Sequence, residues 1–127
     1  MSYPSELQYT REHEWIKVEG ETGLVGITEH AQASLGDIVF VEQPKVGAVL
    51  KAGESFGTVE SVKAVSDLFA PVSGEVLAVN AELVDSPEKI NLDPHAAWIV
   101  KVKLSDPAEL TALLSSADYE AFIAEEQ

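Results

Sequence analysis

From Ile38 onward the chain is cut by turn formers every few residues, and that spacing limits the fold more than any other feature. Short strand-like runs at Ile38 to Val41, Val46 to Leu50, Phe56 to Val62, Asp67 to Phe69, Gly74 to Val79 and Trp98 to Leu104 are interrupted by Pro44, Gly47, Gly53, Pro71, Gly74, Pro87 and Pro94. Proline cannot donate to a β-ladder or sit inside a helix, and glycine accepts turn dihedrals that other residues resist, so a helical middle is excluded. Closely spaced strands of this kind form barrels or sandwiches. The segment from about Gly36 to Leu104 is therefore expected to be a flattened barrel or sandwich. The 127 residues have room for one domain, 1–127, with a core over roughly 15–104 and a helical extension over 106–125.

The flanks carry different signals. Ile16 and Val18, then Val25 and Ile27, alternate with polar or small residues around Glu19-Gly20-Glu21-Thr22-Gly23, which predicts an N-terminal hairpin. Thr28 can cap a short helical turn over Glu29 to Leu35, and Gly36 can end it. Beyond the strands, Asp106 is a helix cap, Pro107 suits the first helical position, and Glu109 is placed as the capping-box partner. Leu110, Leu113 and Leu114 give one apolar stripe, and Tyr119, Phe122 and Ile123 a second after Ser115-Ser116. These C-terminal helices are expected to pack on the sheet. Gly36 to Glu42 also matches Gly74 to Asn80 in residue type, which suggests two similar halves with Lys63 in the connection between them.

Charge and composition remove several classes of function. A formal charge of -14 has the wrong sign for nucleic acid or anionic lipid, whereas it suits a monomer that meets basic patches on other proteins. There are no cysteines, so disulfides, thiolate catalysis and cysteine-bound metal are excluded. The first fifteen residues hold neither an apolar signal core nor an Arg-rich presequence, so the chain reads as bacterial cytoplasmic or as a mature mitochondrial form.

Motifs that imitate enzymes fail on context. Gly53-Glu54-Ser55-Phe56-Gly57 fits the nucleophile-elbow pattern, but that pattern needs a helix after the serine and here a strand follows. Grouping Ser55 with Asp93 and His95 as a triad has no support beyond residue type. His13, His30 and His95 lack metal-ligand spacing, and Gly20, Gly23 and Gly26 lie in a hairpin with no basic residue beside them. What remains is Glu60-Ser61-Val62-Lys63-Ala64-Val65-Ser66-Asp67, a lysine flanked by small or apolar residues between two strand patterns.

This segment resembles the lipoylation hairpin of the glycine cleavage system H protein family. The residues that carry the resemblance are Val59 to Ala64, Ser66-Asp67, Ala70 to Val76 and Asn80. It extends to Tyr9 to Trp15, Gly26 to Gln32, Leu35 to Asp37, Gly57 to Val59, Asn91 to Pro94 and Trp98 to Val102, and so covers nearly the whole chain. Ser34 departs from it, since some members carry histidine there. Biotin carriers usually place methionines where Val62 and Ala64 stand, and the lipoyl domains of oxo-acid dehydrogenase complexes are shorter.

The resemblance implies a mainly β, flattened barrel-sandwich hybrid of the lipoyl/biotinyl carrier type, and a carrier with no catalysis of its own. Lys63 would bear lipoic acid as an amide, taking the charge from -14 to -15. A pyridoxal-phosphate glycine decarboxylase would load an aminomethyl group on the arm, a tetrahydrofolate-dependent aminomethyltransferase would unload it, and dihydrolipoyl dehydrogenase would reoxidise the dithiol. Lipoylating enzymes are further partners. Glu14 and Asp67 would line a cleft that shields the loaded arm. Two alternatives stay open: an H-like protein that relays lipoyl groups to other acceptors, and a β interaction module with unmodified Lys63.

Overall fold

The computed structural model describes residues 3–125. In chain order its strands are β1 (Gln8–Tyr9), β2 (Glu14–Glu19), β3 (Thr22–Ile27), β4 (Ile38–Glu42), β5 (Val49–Leu50), β6 (Ser55–Ser61), β7 (Val65–Phe69), β8 (Gly74–Val79) and β9 (Val100–Leu104). Helix α1 (Glu29–Leu35) follows β3, α2 (Glu82–Asp85) and α3 (Lys89–Leu92) separate β8 from β9, and a 3-10 helix (Pro107–Ala112) precedes α4 (Ser116–Glu125). The strands form two antiparallel sheets, one in the order β1-β2-β3-β9-β8-β5 and one in the order β4-β6-β7. Neither closes into a barrel, so the architecture is the flattened sandwich form that the strand spacing predicts.

Period-two alternation explains the core. Ile16, Val25, Val76 and Val102 from the large sheet meet Ile38, Val41, Val59 and Leu68 from the small one, and Leu83, Ile90 and Ile99 complete the same cluster. Strand β2 departs from simple alternation because it is covered on both faces: Ile16 packs in this core, while Trp15 joins Tyr3, Leu7, Tyr9 and Tyr119 in a second, aromatic cluster. The indole lies against Gly26 so closely that an added Cβ there would come within 2.6 Å of the ring, and its Nε1 donates to the Pro94 carbonyl at 2.9 Å. Gly26 is thus a packing glycine.

Thr28 caps α1 by accepting from the Ala31 amide, and Gly36 ends it, both as the sequence indicates. Three expectations need correction. The run Val46 to Leu50 is a strand only at Val49–Leu50, because Gly47 takes φ +95 and the Ala48 amide turns back to the Lys45 carbonyl. Glu109 does not close a capping box; its carboxylate accepts from the Ser73 amide at 2.7 Å and the Ser73 hydroxyl at 2.8 Å. Two donors from a half-buried turn bind a carboxylate better than one exposed amide at Asp106 could. The stripe Leu110, Leu113, Leu114 is split, because the helix stops at Ala112 and Leu113 is extended. Leu110 and Leu113 reach the main core, whereas Leu114 exchanges backbone hydrogen bonds with Tyr9 and joins the aromatic cluster. The matched segments Gly36 to Glu42 and Gly74 to Asn80 contribute β4 and β8, one to each sheet.

Candidate functional site: the Lys63 hairpin and the cleft beside Glu14

Strands β6 and β7 pair in register up to Glu60 and Val65, and the Ser61 amide donates to the Ala64 carbonyl at 2.8 Å, leaving Val62 and Lys63 as a two-residue tip. Such a tip has amides with no ladder partner. The buried Ser61 hydroxyl supplies one, accepting from the Lys63 amide at 3.3 Å and the Ala64 amide at 3.1 Å. The Val62 amide donates to the Asp37 carbonyl at 3.1 Å, which ties the tip to the turn between α1 and β4.

That turn is held from a distance. Asn91, on α3, donates to the Gly36 carbonyl at 2.8 Å and to the Gln32 side-chain oxygen at 2.9 Å, and its own oxygen accepts from the Ile38 amide at 2.9 Å. Gly36 has φ +81 and ψ -152, a region open essentially to glycine alone, and its missing Cβ would stand 3.6 Å from Lys63 Cε. The aliphatic stem of Lys63 therefore rests over Gly36. Its ammonium is exposed, and among the described residues it has no ion-pair or hydrogen-bond partner. A long acyl group attached at this amine would break no hydrogen bond or ion pair among the described residues, so the site fits a covalently carried arm.

The second feature is Glu14, at the start of β2 on the same face as Ile16. Its side chain is 2% exposed. It accepts from the Thr10 hydroxyl at 2.7 Å and from the Phe69 amide at 3.1 Å, and it borders a cleft of 270 Å³ with Thr10, Gly53, Phe69 and Pro71. Burial pushes its carboxyl up from the ordinary value to about 7, against the opposing pull of these two hydrogen bonds. The folded state therefore holds this proton more tightly than the unfolded chain does. The associated stability is present below the ordinary carboxylate range and is lost as pH rises through about 7, a change worth roughly 3 kcal/mol at ~1.36 kcal/mol per unit. His95, whose pKa burial lowers, acts in the opposite sense, so the readout is a difference between proteins. Thermal melts from pH 5 to 8 are expected to show Glu14→Gln gaining on the wild type as pH rises. Parallel curves would show that Glu14 does not titrate there.

Asp67 does not line this cleft. It is exposed on β7, where alternation puts it on the same face as Val65 and Phe69, between the tip and the cleft. At ~3.3 Å per residue, Asp67 lies at most about 13 Å from Lys63 along the strand and Phe69 at most about 20 Å. An extended lipoyl-lysine, about twelve bonds of ~1.5 Å in zigzag, would reach roughly 15 Å, enough to pass Asp67 and less than the upper limit for Phe69 at the cleft.

The other singled-out residues are engaged elsewhere. The Ser55 hydroxyl donates to the Gly57 carbonyl, while His95 Nε2 accepts from the Glu29 amide, so they do not meet as a triad. His13 and His30 lie with ring centroids 4.6 Å apart, and His13 Nδ1 bonds the Tyr119 hydroxyl at 2.8 Å. Sequence spacing gave no sign of this grouping. Among the described residues no three histidine or acidic side chains are placed to hold a metal ion, and no helix is long and apolar enough to cross a membrane. Asn91 was also invisible as a site residue, although it falls in a segment that carries the family resemblance; its partners lie 53 to 59 residues away.

A model of the family described as glycine cleavage H-protein matches residues 7–126. A glycine cleavage system H protein of Koribacter versatilis is 67% identical over 126 residues, covering 99% of this chain and 98% of that one. One of Acidobacterium capsulatum is 64% identical with the same coverage. The crystal structure of a glycine cleavage system H protein from Mycobacterium marinum superposes with a TM-score of 0.88 at 42% identity, over 96% of this chain and 99% of that one.

Proposed function

The chain belongs to the glycine cleavage H-protein family, whose members are lipoyl carriers of glycine cleavage, and from that premise we propose that Lys63 bears the lipoyl group. We further propose that the arm visits three enzymes in turn, a pyridoxal-phosphate glycine decarboxylase, a tetrahydrofolate-dependent aminomethyltransferase and dihydrolipoyl dehydrogenase. The cytoplasm of a bacterium is the proposed setting, in keeping with its bacterial relatives. The observation that carries the reading is an exposed lysine, with no ion-pair or hydrogen-bond partner among the described residues, on a two-residue tip whose backbone is fixed by Ser61, Asp37 and, through the Gly36 turn, Asn91.

When attached, the lipoyl group supplies a disulfide that can take up a one-carbon fragment and two electrons. The protein's own residues do the rest. The hairpin sets where the arm is rooted, so its end sweeps a limited shell, and rigidity at the root favours delivery to enzyme sites. Toward the cleft, Asp67 and then Glu14 offer carboxylates along one path. A cationic amine at the end of the arm would draw Glu14 into its ionised form, because an adjacent positive charge lowers a carboxyl pKa, and a charge-assisted hydrogen bond would follow in a partly dry site.

Purified decarboxylase with glycine should release carbon dioxide only when the lipoylated chain is supplied. A chain that accepts lipoate yet supports no release would instead fit a relay of lipoyl groups to other acceptors. Within the working system, Glu14→Gln and Asp67→Asn should each still reach full lipoylation and shorten the lifetime of the loaded carrier in buffer. Normal lifetimes in both variants would take these two residues out of the mechanism.

A further inference from the structure

The outer face of the three-stranded sheet beside Lys63 is uncovered and patterned. Register places Phe40, Glu60 and Val65 in one row across β4, β6 and β7, and Glu42, Thr58 and Asp67 in the next. Phe40 is 50% exposed, Val65 64%, and Val62 at the tip 72%, although Val41, Val59 and Leu68 on the same strands are buried in the core. Apolar side chains gathered on a solvated face beside a functional loop mark an interaction surface more often than chance. The charge on these strands has one sign. They carry Glu42, Glu60 and Asp67 and no Lys or Arg, whereas Lys17, Lys101 and Lys103 all lie on the six-stranded sheet.

We propose that this face, with Phe40 and Val65 as apolar anchors and Glu42, Glu60 and Asp67 around them, docks the enzyme that acylates Lys63. That partner would present an apolar pocket rimmed by lysine or arginine. The proposal rests on the reading of Lys63 as the lipoyl site. Reach selects this partner over those that act on the finished arm. The amine stands only five bonds of ~1.5 Å from the backbone, so an enzyme working on it must cover the surface around the tip. Enzymes acting on the dithiolane work from the far end of the arm. In the reaction the unprotonated amine attacks the carboxyl carbon of lipoyl adenylate, made when the lipoate carboxylate bonds to the α-phosphorus of ATP and pyrophosphate leaves. The amide C–N bond forms, the bond from that carbon to the phosphate oxygen breaks, AMP leaves with the electron pair, and one proton passes to solvent.

The test uses unlipoylated full-length protein with lipoate, magnesium ATP and a purified bacterial lipoate–protein ligase. Phe40→Ser and Val65→Ser are each expected to raise KM for the carrier about tenfold with kcat changed less than about twofold, the size expected for a buried interface anchor. Glu60→Lys should also raise KM and weaken its dependence on salt, since it turns one of the three acidic charges on the docking face positive. Val49→Ser, on an exposed residue of the other sheet, is the control. If Phe40→Ser does not fold, Val65→Ser and Glu60→Lys decide the matter alone. Wild-type KM in the face variants, or equal impairment in Val49→Ser, overturns the docking face while leaving Lys63 as the acceptor. Failure of the wild type to be acylated on Lys63 overturns the lipoyl reading and the docking face with it.

Discussion

Lys63→Arg is expected to abolish lipoyl attachment and to bring glycine-dependent carbon dioxide release down to the level seen with no carrier present. Arginine keeps the charge, but its guanidinium is not an acylatable amine. The fold should not notice. Lys63 is exposed with no polar partner among the described residues, and surface changes of this kind stay within about 0.5 kcal/mol, so the melting temperature should hold to within about 2 °C. No neighbouring lysine can substitute. Lys51 precedes β6 at the opposite end of the hairpin, and Lys89 is paired with Glu82 at 2.6 Å on α3. Residual lipoylation of the variant would mean that the acceptor lies elsewhere.

Asn91→Ala is expected to have the next largest effect, and on two observables at once. Its three side-chain hydrogen bonds join α1, the Gly36 turn and β4, and their loss leaves the Ile38 amide and Gly36 carbonyl without these partners. At ~1–3 kcal/mol for each unsatisfied group in a protected position, the half-buried site should lose about 2–4 kcal/mol, or roughly 10 °C in melting temperature. The turn also supports the tip through the Asp37 carbonyl and lies beneath the Lys63 stem. Lipoylation should therefore slow even at temperatures where the variant is fully folded. A stable variant with unchanged acylation kinetics would show that the Lys63 loop holds itself.

The contrast between these two residues shows where the sequence is legible. Strand β6, strand β7 and the gap between them could be read from alternation and from Gly53 and Pro71, so the tip position of Lys63 follows from local pattern. Its chemical role does not; an isolated lysine at a hairpin tip is ordinarily solvated, and only the matched residues around it raised the lipoyl reading. Asn91 acts through partners distant in sequence, which no local period encodes. Glu14 is similar. The chain has Glu12 and Glu14 two positions apart, and only the packing of β2 between two clusters decides that Glu12 is exposed and Glu14 buried. Helices α2 and α3 have four residues each, too short for an amphipathic repeat to register. The capping-box reading of Glu109 failed for a related reason, because Ser73, its actual partner, is 36 residues away.

The most direct measurement is intact mass followed by peptide mapping of the protein expressed in a host that lipoylates its own carriers. A single lipoyl increment is expected, carried entirely by the peptide that contains Lys63. An increment on Lys51 or Lys89, or an unmodified protein from a host whose own carriers are fully lipoylated, would contradict it.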